Sequence, residues 1–400
     1  MKKLIFITTI FLASINLLIA QNESAKTIEQ LTNDVDSLKD MNKPGKSKFL
    51  LRGYGHAGLE VTDDESSFVG GSFNPIFIYK QSDKLLFESE LEFGLEDGEL
   101  EIGLEYANIS YLLTKSVTVR FGKMLLPFGI YVDRMHPAWI DKLASKPLGV
   151  GHGGILPGSD IGIELRGGAY LGSSKINYAF YLVNGPYLNE GDDEPEEAGQ
   201  LHYNNFPDNN NNKTVGGRLG FLPLSNSSLE LGASGMYGKV GSRDSEYSDV
   251  AALLYAVDLS YIQNLPFMSS VLDVKAQYSG VNVGNANYVD TEDTVNVGAT
   301  YTFDNQSTTY FVQLALRPAM VDNNFFRNIE LVGRYSELNT PEGALWDTKL
   351  NQWEIGLNYW LDWRTVFKFT YRITQGEAGH DEGGESPVGN AFLFHWAIGF

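Results

Sequence analysis

Six histidines, His56, His136, His152, His202, His380 and His395, are the side chains of this chain best suited to bind a metal or move a proton near neutral pH. None is paired as H-x-x-x-H or H-E-x-x-H, so the helical spacing that turns two imidazoles toward one ion is missing. No G-x-S-x-G stands in the sequence to signal a strand-turn-helix nucleophile. The run G-H-G-G-I-L-P-G from Gly151 to Gly158 has the glycines of a phosphate cradle. It neither follows a parallel-sheet strand nor opens a helix, and it reads as a loop hinge. The acidic run G-D-D-E-P-E-E from Gly191 to Glu197 offers oxygens to Ca²⁺ without the EF-hand order, and reads as a solvated external loop. No catalytic residue, cofactor or metal site follows from these signals.

Charged residues at alternate positions are more informative. Glu88, Glu90 and Glu92 fall two apart, and Arg364, Lys368 and Arg372 fall four apart. An extended backbone repeats its side-chain direction every second residue, so each set shares one face of a strand. Arg52, Arg120, Lys123, Arg134, Arg166 and Arg334 join these as candidate polar-face positions, with Glu101 and Glu105 beside the first acidic set. The chemistry open to such faces is electrostatic: opposite charge on opposite walls of a wet lumen orients and sieves dipolar solutes.

The elements that carry these faces alternate almost throughout. Leu51, Gly53, Gly55, Ala57, Leu59 and Val61 oppose Arg52, Tyr54, His56, Gly58 and Glu60, and Phe87, Leu91, Phe93 and Leu95 oppose Glu88, Glu90, Glu92 and Glu96. The pattern returns up to the last residue, with no 3.6-residue period competing. No apolar run after residue 20 approaches the roughly 18 residues a membrane-spanning helix needs. Alternating strands escape that test, because lipid-facing and lumen-facing residues cancel in any window. Connections near Lys115, Gly172, Leu224, Pro266 and Asp362 are short, while Lys123 to Ser159, Gly185 to Lys213, Val283 to Asp293 and Gln375 to Gly389 are long. Short turns alternating with long loops separate a membrane barrel from a soluble sandwich.

A first count gives seventeen strands, and an even number is needed if both ends lie on one side. The weakest segment, Val295 to Phe303, is therefore expected to be an external hairpin, leaving sixteen; eighteen is the alternative. The fold expected is an all-β transmembrane, antiparallel, up-and-down barrel over 49–400, with a loop at about 123–159 folding inward. Residues 1–20, Lys2 and Lys3 before an apolar run, read as a signal peptide. Within 21–48, Ile28, Leu31, Val35 and Leu38 keep a/d spacing, expected as a short periplasmic helix or coiled coil.

The last strand supports the same expectation. Phe392, Phe394, Trp396, Ile398 and Phe400 all point one way, and the ending resembles the C-terminal targeting strand of outer-membrane barrels. Acids outnumber bases 50 to 30, a net charge of −20 that argues against a nucleic-acid partner. Four stretches together resemble the phosphate-selective porin O and P family: V-R-F-G-K-M-L-L-P-F-G from Val119, I-E-L-V-G-R-Y-S-E-L from Ile329, W-E-I-G-L-N-Y-W-L from Trp353, and V-F-K-F-T-Y from Val366. That resemblance implies a sixteen-stranded trimeric channel of the Gram-negative outer membrane, its third external loop narrowing the pore. Phosphate specificity does not transfer with it, because Lys123, Arg134, Lys142 and Lys146 against Asp133 and Asp141 make only a mildly positive loop. The function expected is a porin for passive diffusion of small hydrophilic solutes or ions. Its expected partners are lipid, lipopolysaccharide, the barrel-assembly machinery and two further copies of itself. An anion or phosphate channel, and a non-conducting barrel acting as adhesin or assembly partner, are the alternatives.

Overall fold

The computed structural model describes residues 48–63, 65–96, 99–151, 154–203, 206–290, 298–379 and 388–400, with Thr32 and Val35. Thr32 and Val35 are helical, while the rest of the expected coiled coil and the expected signal peptide lie outside the described residues. The barrel strands are β1 (Phe49–Thr62), β2 (Ser66–Lys80), β3 (Leu85–Glu96), β4 (Glu99–Thr114), β5 (Val117–Leu125), β6 (Ser159–Leu171), β7 (Ser174–Val183) and β8 (Thr214–Leu222). They continue as β9 (Leu229–Lys239), β10 (Ala251–Leu265), β11 (Ser270–Val283), β12 (Gln306–Arg317), β13 (Ile329–Asn339), β14 (Lys349–Asp362), β15 (Thr365–Glu377) and β16 (Gly389–Gly399). Each pairs antiparallel with the next, and β1 pairs with β16 from Tyr54↔Gly399 to Thr62↔Ala391, which closes the sheet. Closure matters because no water is present in lipid to satisfy an open edge.

Sixteen strands is the expected number, and the segment that parity demoted behaves as expected. Thr300–Tyr301 pairs with Tyr288–Val289 in a small two-stranded sheet of the β11–β12 connection, separate from the barrel, while 295–297 of the expected hairpin lie outside the described residues. A second short pair, Tyr187–Leu188 with Leu201–His202, shapes the β7–β8 loop.

The alternation resolves into two environments. On β16, Phe392, Trp396 and Ile398 are exposed on the outer wall while Ala391, Leu393, His395 and Ala397 are buried inside. The seam there depends on a glycine. Gly53 exchanges backbone hydrogen bonds with Phe400 at 3.1 and 2.9 Å, and a Cβ at position 53 would lie 2.6 Å from the Phe400 ring. With no side chain in the way, that ring stacks on Phe73, centroids 6.0 Å apart.

The long loops pack on one another at one end of the barrel. Tyr247, Tyr288 and Phe303 stack in series, centroids 5.6 and 5.5 Å apart, and Trp346 meets Phe303 edge-on. Trp346 Nε1 donates to the Ala198 carbonyl at 2.9 Å and Asn305 Nδ2 to the Gly199 carbonyl at 2.8 Å, tying the β7–β8 loop to those after β11 and β13.

Ile355, mid-strand on β14 and 68% exposed, tests the assignment of faces. Ile355→Arg is expected to destabilise the barrel in lipid vesicles by about 2–4 kcal/mol, the cost of a cation near mid-bilayer, with Ile355→Val close to neutral. Urea unfolding followed by tryptophan fluorescence checks it; an unchanged midpoint for the arginine variant would place this face away from lipid.

Candidate functional site: the inward loop and the charged lumen

The β5–β6 connection, residues 126–158, turns into the barrel rather than away from it. Glycine starts the turn: Gly129 has φ +64°, its N–H donates to Ser234 Oγ at 3.0 Å, and the next N–H, Ile130, donates to Gln277 Oε1 at 2.8 Å. A Cβ at 129 would lie 2.2 Å from that same amide oxygen, so the close approach to β11 needs glycine. A one-turn helix, α1 (Tyr131–Arg134), follows. Asp133 and Arg134 diverge from it, Asp133 to Arg166 on β6 at 3.3 Å and Arg134 to Glu230 on β9 at 2.8 Å. Two residues later His136 lies beside β1 and β3. Its ring meets Tyr54 edge-on, and Nε2 is 3.9 Å from Glu90 Oε1, which accepts from the Tyr54 hydroxyl at 2.7 Å. The loop therefore crosses the lumen from β9 and β11 to the wall roughly opposite.

It then runs back along β11 to β15, held by ions and by backbone. Lys142 pairs with Glu330 and with Asp273 at 3.6 Å, and Ser145 donates to Glu354. Arg334 is the centre of this contact. It is fully buried, gives Nε to Glu354 Oε2 at 2.5 Å and Nη2 to Oε1 at 3.0 Å, and reaches Asp141 at 3.4 Å and the Ser145 carbonyl at 2.5 Å. Lys368, also buried, donates to the loop carbonyls of Ala138 at 2.5 Å and Leu143 at 3.0 Å. Five donors in a rigid fork suit arginine to the carboxylate and carbonyl together, and the lysine satisfies carbonyls that water would otherwise have to reach.

Of the twelve expected lumen residues, nine lie on inward strand positions, Arg134 lies on α1 of the loop, and two lie elsewhere. Arg52, Glu88, Glu90, Glu92, Arg120, Arg166, Arg334, Lys368 and Arg372 all occupy inward positions of the register. Most of the cations among them are engaged: Arg372 with Glu60 at 3.0 Å, and Arg120 and Arg166 with Glu164 at 3.8 and 2.6 Å. Glu92 and Glu101 are exposed, Glu88 and Glu105 half-buried, and none of the four has an ion pair among the described residues.

Two positions correct the expectation. Lys123 pairs with Ala107 and Ile161 on the outward-facing register, its ammonium on the Leu104 carbonyl at 2.5 Å and 4.6 Å over the Phe206 ring. Gly122, at φ +130°, breaks the regular backbone just before it. Arg364 lies in the β14–β15 turn rather than on β15, stacked 3.9 Å over Trp363. A two-residue turn places it one position short of the strand its spacing suggests.

Several lumen groups were not singled out from the sequence. Arg218 pairs with Asp258 at 2.5 Å and Glu230 at 3.0 Å, and Glu164 and Glu354 are each fully buried at their side chains. The signal was present, since each is polar within an alternating strand, but burial against a loop folded from elsewhere leaves no local trace. Between the loops and the wall of β11 to β14 lies a cavity of about 190 Å³ lined by Ile155, Tyr203, Val281, Trp346 and Leu350. That is below the roughly 300 Å³ at which small-molecule sites begin.

The chain matches no protein-family model and no curated protein, so the likeness to the phosphate-selective porin O and P family rests on the quoted motifs alone. Solved structures match the fold. The outer membrane channel DcaP of Acinetobacter baumannii aligns at TM-score 0.55 and 12% identity, over 88% of this chain and 97% of that one. OmpF of Salmonella typhi aligns at 0.53 and 14%, over 88% and 97%. A trimer form of OmpT, an outer membrane protein of Vibrio cholerae, aligns at 0.51 and 13%, over 88% and 99%. At such identities the likeness is one of fold, and the fold is porin-like.

Two outcomes follow from the loop's anchors. Glu354→Ala leaves Arg334 buried without its main partner, a change expected to cost about 3–5 kcal/mol and to free the loop, read as earlier unfolding and faster proteolysis between residues 130 and 150. His136 carries the second. Burial lowers its pKa, but the carboxylates of Glu90 and Glu105 and the Val132 carbonyl on Nδ1 at 2.6 Å outweigh it, so the net shift is upward. Its contribution to docking is complete below the ordinary value of about 6.5 and is lost as pH rises through the higher folded value. Protection of amides 131–136 from hydrogen exchange, corrected for intrinsic rate, should fall with rising pH in the native chain and lose that dependence in His136→Gln.

Proposed function

We propose that this chain is an outer-membrane porin, conducting small hydrophilic solutes by passive diffusion, with the loop of residues 126–158 as its constriction. The observation that carries the reading is a closed sixteen-stranded barrel whose interior is lined with charge and crossed by a loop anchored on both sides. A soluble-protein core is not built this way, because buried ions cost several kcal/mol each unless paired, whereas a wet lumen solvates them. Steric exclusion by the loop sets the size limit, and the charges left facing water set the preference.

Those charges are acidic. Arg334, Lys368, Arg372 and Arg218 are spent on Glu354, loop carbonyls, Glu60 and Asp258, while Glu88, Glu92, Glu101 and Glu105 line the wall of β3 and β4 without an ion pair among the described residues, Glu105 lying in the field of His136. The reading is therefore of a general porin with a mild preference for cations. Phosphate selection would need a cluster of arginines free to face the permeant, and most of those seen here are already bound, Arg52 on β1 being exposed without an ion pair among the described residues. A homotrimer embedded in lipid and lipopolysaccharide is the assembly we infer, supported by the exposed apolar outer wall and by the trimeric form of one protein of similar fold.

Planar-bilayer recording under a tenfold KCl gradient tests this. Steps in groups of three, with a reversal potential of the sign for K⁺ over Cl⁻, are expected, and Glu92→Gln with Glu101→Gln should shift that potential toward zero. Anion preference blocked by phosphate would overturn the cation reading, and silence from correctly folded trimers would overturn the channel itself.

A further inference from the structure

The loop between β7 and β8 holds a group of side chains that conduction does not use. Glu194, Glu197 and His202 each bring one ligand atom within 4.8 Å of the other two. His202 sits on the short hairpin with Tyr187–Leu188, and Glu197 ends the 3-10 turn Pro195–Glu197. His202 Nε2 is 3.0 Å from Glu197 Oε2, and Nδ1 is 3.1 Å from the Tyr187 hydroxyl, whose ring lies 5.0 Å away. Asn189 Nδ2 donates to Glu194 Oε2 at 3.2 Å.

We propose that Glu194, Glu197 and His202 form a binding site for one divalent transition-metal ion of the Zn²⁺ class at the outer mouth of the barrel. Three lines carry it. An imidazole with two carboxylates is a borderline donor set that suits such ions and is poorly matched to Ca²⁺, which takes six to eight oxygens. Ligands of a tetrahedral ion at 2.0–2.1 Å lie about 3.3 Å apart, close to the 3.0 Å of the His202–Glu197 pair, and the Glu194 oxygen lies within 4.8 Å of both. The imidazole is also oriented from behind: a partner on Nδ1 fixes the ring and leaves Nε2 for the ion, the arrangement usual for ligating histidines. Two carboxylates brought this close repel one another until a cation lies between them.

The scaffold is stiff enough to hold such geometry. Ala198 and Gly199, directly after Glu197, are bonded to Trp346 and Asn305, and a Cβ on Gly199, at φ +94°, would lie 2.8 Å from the Phe303 ring. Glu197 and Leu201 also face the cavity beside Trp346, so an ion here would sit at its rim. The acidic run that in sequence reads as a solvated loop thus contributes Glu194 and Glu197 to a site completed by a histidine five residues beyond it.

Titration calorimetry of the full folded chain in detergent with ZnCl₂ tests the proposal. One saturable equivalent is expected, weakened at least tenfold in His202→Ala and in Glu197→Gln, and by about tenfold in Tyr187→Phe, the loss typical of a group orienting a ligand. Heat-modifiable migration on gels confirms that each variant is folded; should His202→Ala not fold, Glu194→Gln carries the same test. Zinc X-ray absorption should show one imidazole nitrogen with oxygen neighbours. No saturable zinc binding, equal binding by His202→Ala and wild type, or calcium binding that survives His202→Ala would each overturn it.

Discussion

The structure depends on one constraint: inside a bilayer every backbone N–H and C=O must find a partner within the protein. The β1–β16 pairing satisfies it, and both strands are written for that role. Gly53 and Gly58 keep β1 thin where β16 lies against it, with the Phe400 ring and His395 in the space their side chains would take, and Gly55 does the same toward Ser72 of β2. The apolar residues of β16 then turn to lipid while Ala391, Leu393 and Ala397 fill the inside. A closed wall fixes the position of every inward side chain, and the lumen chemistry is a consequence of that register.

The inward loop meets the same constraint by a different route. Its backbone lies inside the barrel, away from other strands, so its polar groups are satisfied by side chains from the wall: Gln277 and Ser234 at Gly129 to Tyr131, Thr370 at Ala144, Ser336 at Leu148, Lys368 and Arg334 at the carbonyls. This explains why so many wall charges are buried in a protein whose lumen should be wet. Arg334 and Lys368 are there for the loop. Their partners, Glu354 and the loop carbonyls, neutralise or occupy them in turn.

How much of this could be read from the sequence follows from which interactions are local. Alternation is local, so the strands, the lipid-facing row from Phe392 to Phe400, and the inward placement of Glu88, Arg334 and Lys368 were legible. So was the external hairpin at Tyr288 and Thr300, because parity is a property of the whole chain that counting alone enforces. Arg364 and Lys123 were misplaced for small reasons: Arg364 falls in the two-residue turn just before β15, and Lys123 stands three positions after inward Arg120, an odd step that alternation itself sends outward. What could not be read was which charges remain free. Glu354 and Glu92 look alike in an alternating strand, and only the return of residues 141–145, some 200 positions earlier in the chain, buries the first and leaves the second in water.

That difference bears on how selectivity is to be argued for such barrels. A count of lumen charges puts arginines and lysines against glutamates and suggests a field across the pore. Once each pair is followed to its partner, a buried Arg334–Glu354 contact contributes little field at a distance, because its charges lie within one hydrogen bond of each other and cancel beyond a few ångströms. An exposed carboxylate such as Glu92 acts across the opening to about one Debye length, roughly 10 Å at 0.1 M salt. On the proposed reading as a porin, a permeant ion would respond to the groups left unpaired, the acids of β3 and β4 together with Arg52 of β1. On the same reading the inward loop, by the cations it engages, would set which charges of the wall are left for a permeant to meet.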